Sequence, residues 1–323
     1  MIPVTARWLP YGLPLLRPWE SSRGRLDGRR GHLLCLEAAD GRIGWGDCAP
    51  LPEAGIDETQ ATRHAESCAA LDLEAQAAGV PLAAWLAGCA TAPDVPVNAS
   101  LGAILSLTPS ELREVCAAGY SVLKIKTGCA PLAAEIDRLT RLAAELPAGA
   151  TLRLDANGAW NEATAATFLR ECRQLPVESL EEPLATPDPV QLARLQDSTE
   201  IALALDESLS GQDMEGLLRQ APVRRLIVKP ARHGGLRASL EIARKAQQAG
   251  IDCIVTSALE SACGLLAAAH LAAAIGAVTG STLAHGLATA GWFAADTGRA
   301  PVITAGRLAL PRAAGLGFVP LLA

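Results

Sequence analysis

From about residue 95 onward the chain alternates between short apolar, β-rich runs and longer stretches in which alanine and leucine recur at helical spacing. The short runs are Val95–Leu101, Val122–Lys126, Thr151–Asp155, Val177–Glu181, Ile201–Asp206, Arg225–Lys229, Cys253–Ser257 and Val278–Leu283. They follow one another at roughly 22–30 residues, the length of one strand–helix unit. Between them, Leu132–Glu145, Glu162–Cys172, Leu236–Ala249 and Ala262–Ile275 read as helices. Eight such strands with intervening helices predict an α/β fold in which a parallel sheet closes into a barrel. A doubly wound dinucleotide fold fits less well, because no glycine-rich fingerprint follows the first strand.

The first 90 residues have a different rhythm. His32–Glu37 and Arg42–Trp45 flank Ala39-Asp40-Gly41 and predict a hairpin, and a helix is expected over about Glu58 to Ala77. The expected organisation is a small α+β domain over residues 1–92 and a barrel over 93–304. A tail, 305–323, is expected to pack back on the first domain. Two stretches are candidates for loops that close over a site at the barrel mouth: Pro18-Trp-Glu-Ser-Ser-Arg-Gly24 and Asp47–Glu53.

Composition narrows the function. Half the residues are hydrophobic and 19% are charged, as in a compact globular protein, and the net charge of −6 argues against a nucleic-acid surface. The most apolar part, Gly264 to Val278, is alanine-rich and contains His270, so it reads as a buried helix rather than a membrane span. The N-terminus lacks the apolar core of a signal peptide. Nine cysteines without paired spacing fit reduced thiols in a cytoplasmic protein and leave no zinc-ligand pattern. The oligomeric state stays open.

The chemistry-bearing residues fall at the C-terminal ends of the strands, the face on which barrel enzymes carry their sites. Lys124 and Lys126 lie two apart in Val122-Leu-Lys-Ile-Lys126, so both point to one side of a strand that is otherwise apolar. A lysine kept in such a place despite its desolvation cost fits a general base. Asp155, Glu181 and Asp206 follow on successive strands, 26 and 25 positions apart, and Lys229 ends the next. Taken singly, Asp155 reads as a helix cap and Lys229 as a surface lysine. Taken together, three acids are expected to converge on one point, where they require a cation. All-oxygen donors suit Mg²⁺, with Mn²⁺ as a substitute. The implied chemistry is removal of a proton next to a substrate carboxylate, leading to elimination, racemisation or cycloisomerisation. A catalytically inert barrel would lack one member of this ladder, and none is lacking.

These motifs resemble the enolase superfamily and, within it, the muconate-lactonizing subgroup. Leu123-Lys-Ile-Lys-Thr-Gly128, Leu152-Arg-Leu-Asp-Ala-Asn-Gly-Ala-Trp160, Leu180-Glu-Glu-Pro-Leu184, Val255-Thr-Ser-Ala-Leu-Glu-Ser261 and His285-Gly-Leu-Ala-Thr289 are similar to the o-succinylbenzoate synthase family. The resemblance implies a modified TIM barrel, (β/α)7β, behind an N-terminal α+β capping domain. It implies Lys126 as the base, Lys229 as the cation across the substrate ring, and Asp155, Glu181 and Asp206 as Mg²⁺ ligands. Of the Glu181-Glu182 pair, strand parity also favours the first. Lys124, Arg153 and Asn157 are implied as substrate or supporting contacts, with Ser257 and the Gly286 backbone near a distal carboxylate. His32, His64 and His270 read as structural, whereas His233 and His285 follow strand ends and are weaker candidates for substrate contact. The implied activity is Mg²⁺-dependent dehydration of a cyclic hydroxy-carboxylate. N-succinylamino-acid racemase and dipeptide epimerase activity are the alternatives, because both use the same two lysines.

Overall fold

The computed structural model describes residues 4–21, 24–210 and 213–321. The chain begins with an antiparallel sheet of β1 (Val4–Ser21), β2 (Gly24–Ala38) and β3 (Ile43–Cys48), in that order. The hairpin expected around Asp40 is the β2–β3 connection. The long strand β1 was not expected; its prolines at 10 and 14 are tolerated because it is an edge strand. Helix α1 (Glu58–Ala78) lies on this sheet, followed by α2 (Leu82–Ala87). Asp57 and Gln60 start α1 with a reciprocal capping box at 2.7 and 2.9 Å. Gly46 permits the contact beneath it, since a Cβ there would lie 2.0 Å from the Ala65 carbonyl oxygen.

The barrel then builds in strand–helix order. Its elements are β4 (Asp94–Pro96), β5 (Ala99–Ala103), α3 (Pro109–Ala117), β6 (Val122–Lys126), α4 (Leu132–Ala143), β7 (Thr151–Asp155) and α5 (Glu162–Cys172). They continue as β8 (Val177–Glu181), α6 (Pro189–Asp197), β9 (Ala202–Leu205), α7 (Met214–Gln220), β10 (Arg225–Val228), α8 (Leu236–Gln248), β11 (Asp252–Val255) and α9 (Ala262–Thr279). Strands β5 to β11 form one parallel sheet in sequence order. The eighth stave is only Ala284-His285-Gly286. His285 bridges Val97 on one edge and Gly286 bridges Thr256 on the other, so the sheet closes. Seven helices and this short stave make the (β/α)7β barrel.

Two expected strands are corrected. Val278–Leu283 is not the eighth strand: α9 runs through Thr279 and stops at Gly280, whose φ of 75° ends the helix. Val95–Leu101 breaks in two, with β4 leaving the barrel to pair with the tail. There it joins β12 (Ile303–Thr304) and β13 (Arg307–Ala309).

The tail continues onto the first domain. The Leu316 N–H donates to Asp72 at 2.7 Å, the Leu82 N–H donates to the Gly315 carbonyl at 2.8 Å, and Phe318 meets Trp45 edge-on. Helix α9 is the one described helix long and apolar enough to cross a membrane, yet it is buried in the core. His270 on α9 accepts the Ala83 N–H at Nδ1 and donates from Nε2 to the Leu316 carbonyl, a structural role. All nine cysteines are free thiols.

Two buried side chains fasten the first sheet to the barrel. Asp47 on β3 accepts the Tyr11 hydroxyl at 2.7 Å and holds Ser261, the residue just before α9, through its N–H and hydroxyl at 2.9 and 2.8 Å. Arg29 on β2 donates to the carbonyls of Leu259, Pro50 and Ala49 at 2.8–3.0 Å.

Candidate active site

The register of the sheet places the key residues in one row. Ala103, Lys126, Asp155 and Glu181 are successive cross-strand partners at the C-terminal ends of β5 to β8. Asp206 follows β9 and Lys229 follows β10. In an eight-stave barrel β6 and β10 lie four staves apart, so Lys126 and Lys229 face each other across the mouth. Both line a cavity of about 600 Å³, along with Lys124, Asp155, Asn157, Asp206, Ser257 and Gly286.

The three lysines differ in what holds them. Lys124 donates to Asp155 at 2.9 Å and to both oxygens of Glu181 at 2.8 Å. Burial works against its ammonium, but the charges of Asp155, Glu181 and Asp206 outweigh that and hold it protonated well above the usual lysine range. Lys229 is paired with Asp206. Lys126 alone meets a neutral acceptor, Asn157 Oδ1, at 3.3 Å.

The carboxylates are correspondingly divided. Burial and the neighbouring Asp155 push Glu181 up, against the pull of Lys124. Burial also disfavours ionised Asp206, but Lys229 and Arg232 overcome it and hold that carboxyl below its usual range. Arg232 reaches both the Asp206 carboxylate and its backbone carbonyl, the latter at 2.8 Å. The three acids therefore occupy adjacent staves, but their side chains do not close on one point as expected. The lysines and Arg232 intercept them, and among the described residues no three acid, histidine or cysteine side chains form a cluster able to hold an ion as they stand. The donor set itself fits a hard divalent cation: oxygen only, buried, and with Glu181 strained by a like charge that a further cation would relieve.

Glu182 is turned away from this row by a φ of 45°. One of its oxygens accepts the Asp206 N–H at 2.6 Å and the Ser208 N–H and hydroxyl at 3.0 and 2.7 Å. It therefore shapes the turn that carries Asp206, and burial lifts its carboxyl to about 7.

Several other residues of the expected site are held by contacts within the fold. Arg153 does not line the cavity. It lies inside the barrel one pleat below Asp155 and donates to Glu178 at 2.5 Å and to the Ala284 carbonyl at 2.6 Å. It therefore ties β7 and β8 to the eighth stave. Ser257 lines the cavity, but its hydroxyl donates to Glu260 at 2.6 Å and accepts the Leu259 N–H, so it organises its own turn. His233 Nδ1 accepts the Lys229 N–H and His285 Nδ1 accepts the Val255 N–H. Burial lowers these imidazoles to about 4 and about 3, leaving them neutral and structural.

The first domain supplies the outer wall. Arg17 and Trp19 reach the cavity from β1 and Leu51 from the segment after β3; the Arg17 guanidinium stacks 4.3 Å from the Trp292 ring. Of the stretch 18–24, expected as a loop that closes over the site, 18–21 end β1 and Gly24 begins β2, with Trp19 opposite Leu26; Ser22 and Arg23 lie outside the described residues. Sequence reasoning missed Arg232 and Glu207. Their only signal was position, three residues after Lys229 and directly after Asp206.

Comparison with known proteins agrees with this architecture. Residues 107–321 match the family described as enolase C-terminal domain-like. The o-succinylbenzoate synthase of Yersinia pestis (strain Pestoides F) is 29% identical over 289 residues, covering 85% of this chain and 88% of that protein. Among solved structures, the muconate lactonizing enzyme of Pseudomonas fluorescens complexed with muconolactone superposes with a TM-score of 0.86 at 21% identity, covering 98% and 96% of the two chains. The dipeptide epimerase of Cytophaga hutchinsonii complexed with Mg and D-Ala-L-Val gives 0.86 at 24% identity, covering 99% and 96%. A capping sheet over a (β/α)7β barrel and the match over residues 107–321 lead to one assignment: the chain belongs to the enolase superfamily.

Proposed function

We propose that this chain is an o-succinylbenzoate synthase, dehydrating 2-succinyl-6-hydroxy-2,4-cyclohexadiene-1-carboxylate to 2-succinylbenzoate in menaquinone biosynthesis. The observation that carries the reading is the division of labour among the lysines. Lys126 is the one cavity lysine of the row whose ammonium rests on a neutral amide, whereas Lys124 and Lys229 rest on carboxylates. A base must be able to lose its proton, and a carboxylate partner opposes that loss. Similarity to curated o-succinylbenzoate synthases supports the choice of substrate.

In this reading Asp155, Glu181 and Asp206 would hold one Mg²⁺, which would supply positive charge to stabilise the substrate carboxylate as it gains electrons. Lys126 as the free amine takes the proton from the carbon bearing that carboxylate. The electron pair moves into the carboxylate, and Lys229 opposes the new negative charge from the other side of the ring. Lys126 then returns the proton to the leaving hydroxyl; the adjacent C–O bond breaks, water departs and the ring becomes aromatic. Lys124 stays protonated and offsets the buried acids.

The test is turnover of the hydroxycyclohexadiene by the purified protein, followed by aromatic absorbance, with Mg²⁺ and after chelation. Mg²⁺-dependent formation of 2-succinylbenzoate supports the proposal; absence of product with Mg²⁺ refutes it. A second reading, N-succinylamino-acid racemase or dipeptide epimerase, draws on the same opposed lysines, since two-base exchange needs one on each face. Solvent deuterium entering an N-succinylamino acid from both enantiomers would support it.

A further inference from the structure

We propose that Glu207 is a positioning residue for proton transfer, fixing the amide of Asn157 so that its carbonyl oxygen alone faces the Lys126 amine. The inference rests on the reading of Lys126 as the base.

Three side chains form a line at the cavity wall. Lys126 Nζ donates to Asn157 Oδ1 at 3.3 Å, and Asn157 Nδ2 donates to Glu207 Oε1 at 3.1 Å. A carboxylate only accepts and an ammonium only donates, whereas an amide has one face of each kind. The carboxylate on one side therefore decides the amide orientation. A flipped amide would set its NH₂ against the ammonium and its oxygen against the carboxylate.

The surrounding chain is built to hold this line. Asn157 sits at a φ of 44°, a left-handed conformation fixed by its own N–H on Asp155 at 3.1 Å and by the Gly158 N–H on the Glu182 carbonyl at 2.7 Å. Glu207 is the middle residue of the turn that Glu182 grips through the Asp206 and Ser208 N–H groups. The second oxygen of Glu207 is buried and has no hydrogen-bond partner among the described residues, so the carboxylate is committed to Asn157.

The benefit to catalysis is directional. To take a proton, Lys126 needs its lone pair aimed at the substrate carbon. An amine N–H donated to Asn157 Oδ1 pins the nitrogen and turns the lone pair toward the cavity. The amide does this without placing a charge on Lys126, unlike the two carboxylates that hold Lys124.

The experiment compares Glu207→Ala, Glu207→Gln, Asn157→Ala and the Asn157→Ala/Glu207→Ala double variant of the Mg²⁺-loaded enzyme. Glu207→Ala is expected to lower kcat roughly 10- to 100-fold through misplacement of the base, with KM and Mg²⁺ affinity within about twofold. Glu207→Gln keeps an acceptor for Nδ2 and is expected to recover most of the lost rate. The double variant is expected to be no slower than Asn157→Ala, because Glu207 acts through that amide. Additive losses, a matching loss of Mg²⁺ affinity, or unchanged kcat in Glu207→Ala would overturn the proposal. The side-chain amide resonances of Asn157 give a readout without turnover. They should move upfield in Glu207→Ala; an unchanged position overturns the pairing even if the wild type turns over neither substrate class, an outcome that would separately refute the proposed function.

Discussion

Replacing Asp47 by asparagine perturbs the fastening that holds the capping sheet over the site. Asp47 is 3% exposed and accepts three hydrogen bonds, from the Tyr11 hydroxyl and from the N–H and hydroxyl of Ser261. Burial raises its carboxyl from 3.8 to about 6, although the Tyr11 and Ser261 bonds pull the other way. The folded protein thus binds this proton more tightly than the unfolded chain. The contribution to stability is full below pH 3.8 and is lost as pH rises through about 6. A shift of about two units corresponds to about 3 kcal/mol between those limits. Asparagine keeps the shape and cannot ionise. The stability of Asp47→Asn relative to wild type should therefore drift in the variant's favour by about 3 kcal/mol between roughly pH 4 and pH 7.5. Urea unfolding at steps across that range measures the difference. Other buried acids such as Glu182 titrate equally in both proteins and cancel. A difference independent of pH would refute the argument that Asp47 is ionised at a desolvation cost.

Two further substitutions separate the roles assigned within the barrel. Asp155→Asn should weaken Mg²⁺ binding at least about tenfold by calorimetry, since it removes one anionic oxygen donor; unchanged affinity would remove Asp155 from the ligand set. Arg153→Met should cost about 3 kcal/mol in urea unfolding, because Glu178 loses one of its two arginine partners, while KM stays within about twofold. A large rise in KM with unchanged stability would restore Arg153 as a substrate contact.

The barrel strands that carry chemistry were legible because their register is set by strong signals. In β6, β7 and β8 Leu123, Ile125, Leu152, Leu154, Val177 and Leu180 are buried in the core, and Lys126, Asp155 and Glu181 end the strands at one level. The eighth stave was misplaced because three residues, Ala284-His285-Gly286, carry no periodicity, whereas the preceding Val278 and Thr279 look β-prone although they finish a helix. Strand β1 was missed because most of it is exposed and its prolines suit only an edge. Arg153 entered the expected site only through the family resemblance, as a substrate or supporting contact. Its true partner Glu178 faces inward at a register shift between β7 and β8, and no alternation rule reveals such a shift in advance. The pairing of Asp206 with Arg232 depends on the turn after β10 folding back over β9, and so could be seen only in three dimensions.

The central claim is that Lys126 removes the proton next to the substrate carboxylate. The most direct measurement is the rate of 2-succinylbenzoate formation by Lys126→Ala beside wild type, at saturating Mg²⁺ and with metal affinity checked in both. Loss of a general base predicts a fall in kcat of about 100- to 10,000-fold with Mg²⁺ binding retained. A variant that keeps kcat within about tenfold of wild type would contradict the account, because the base would then be another group.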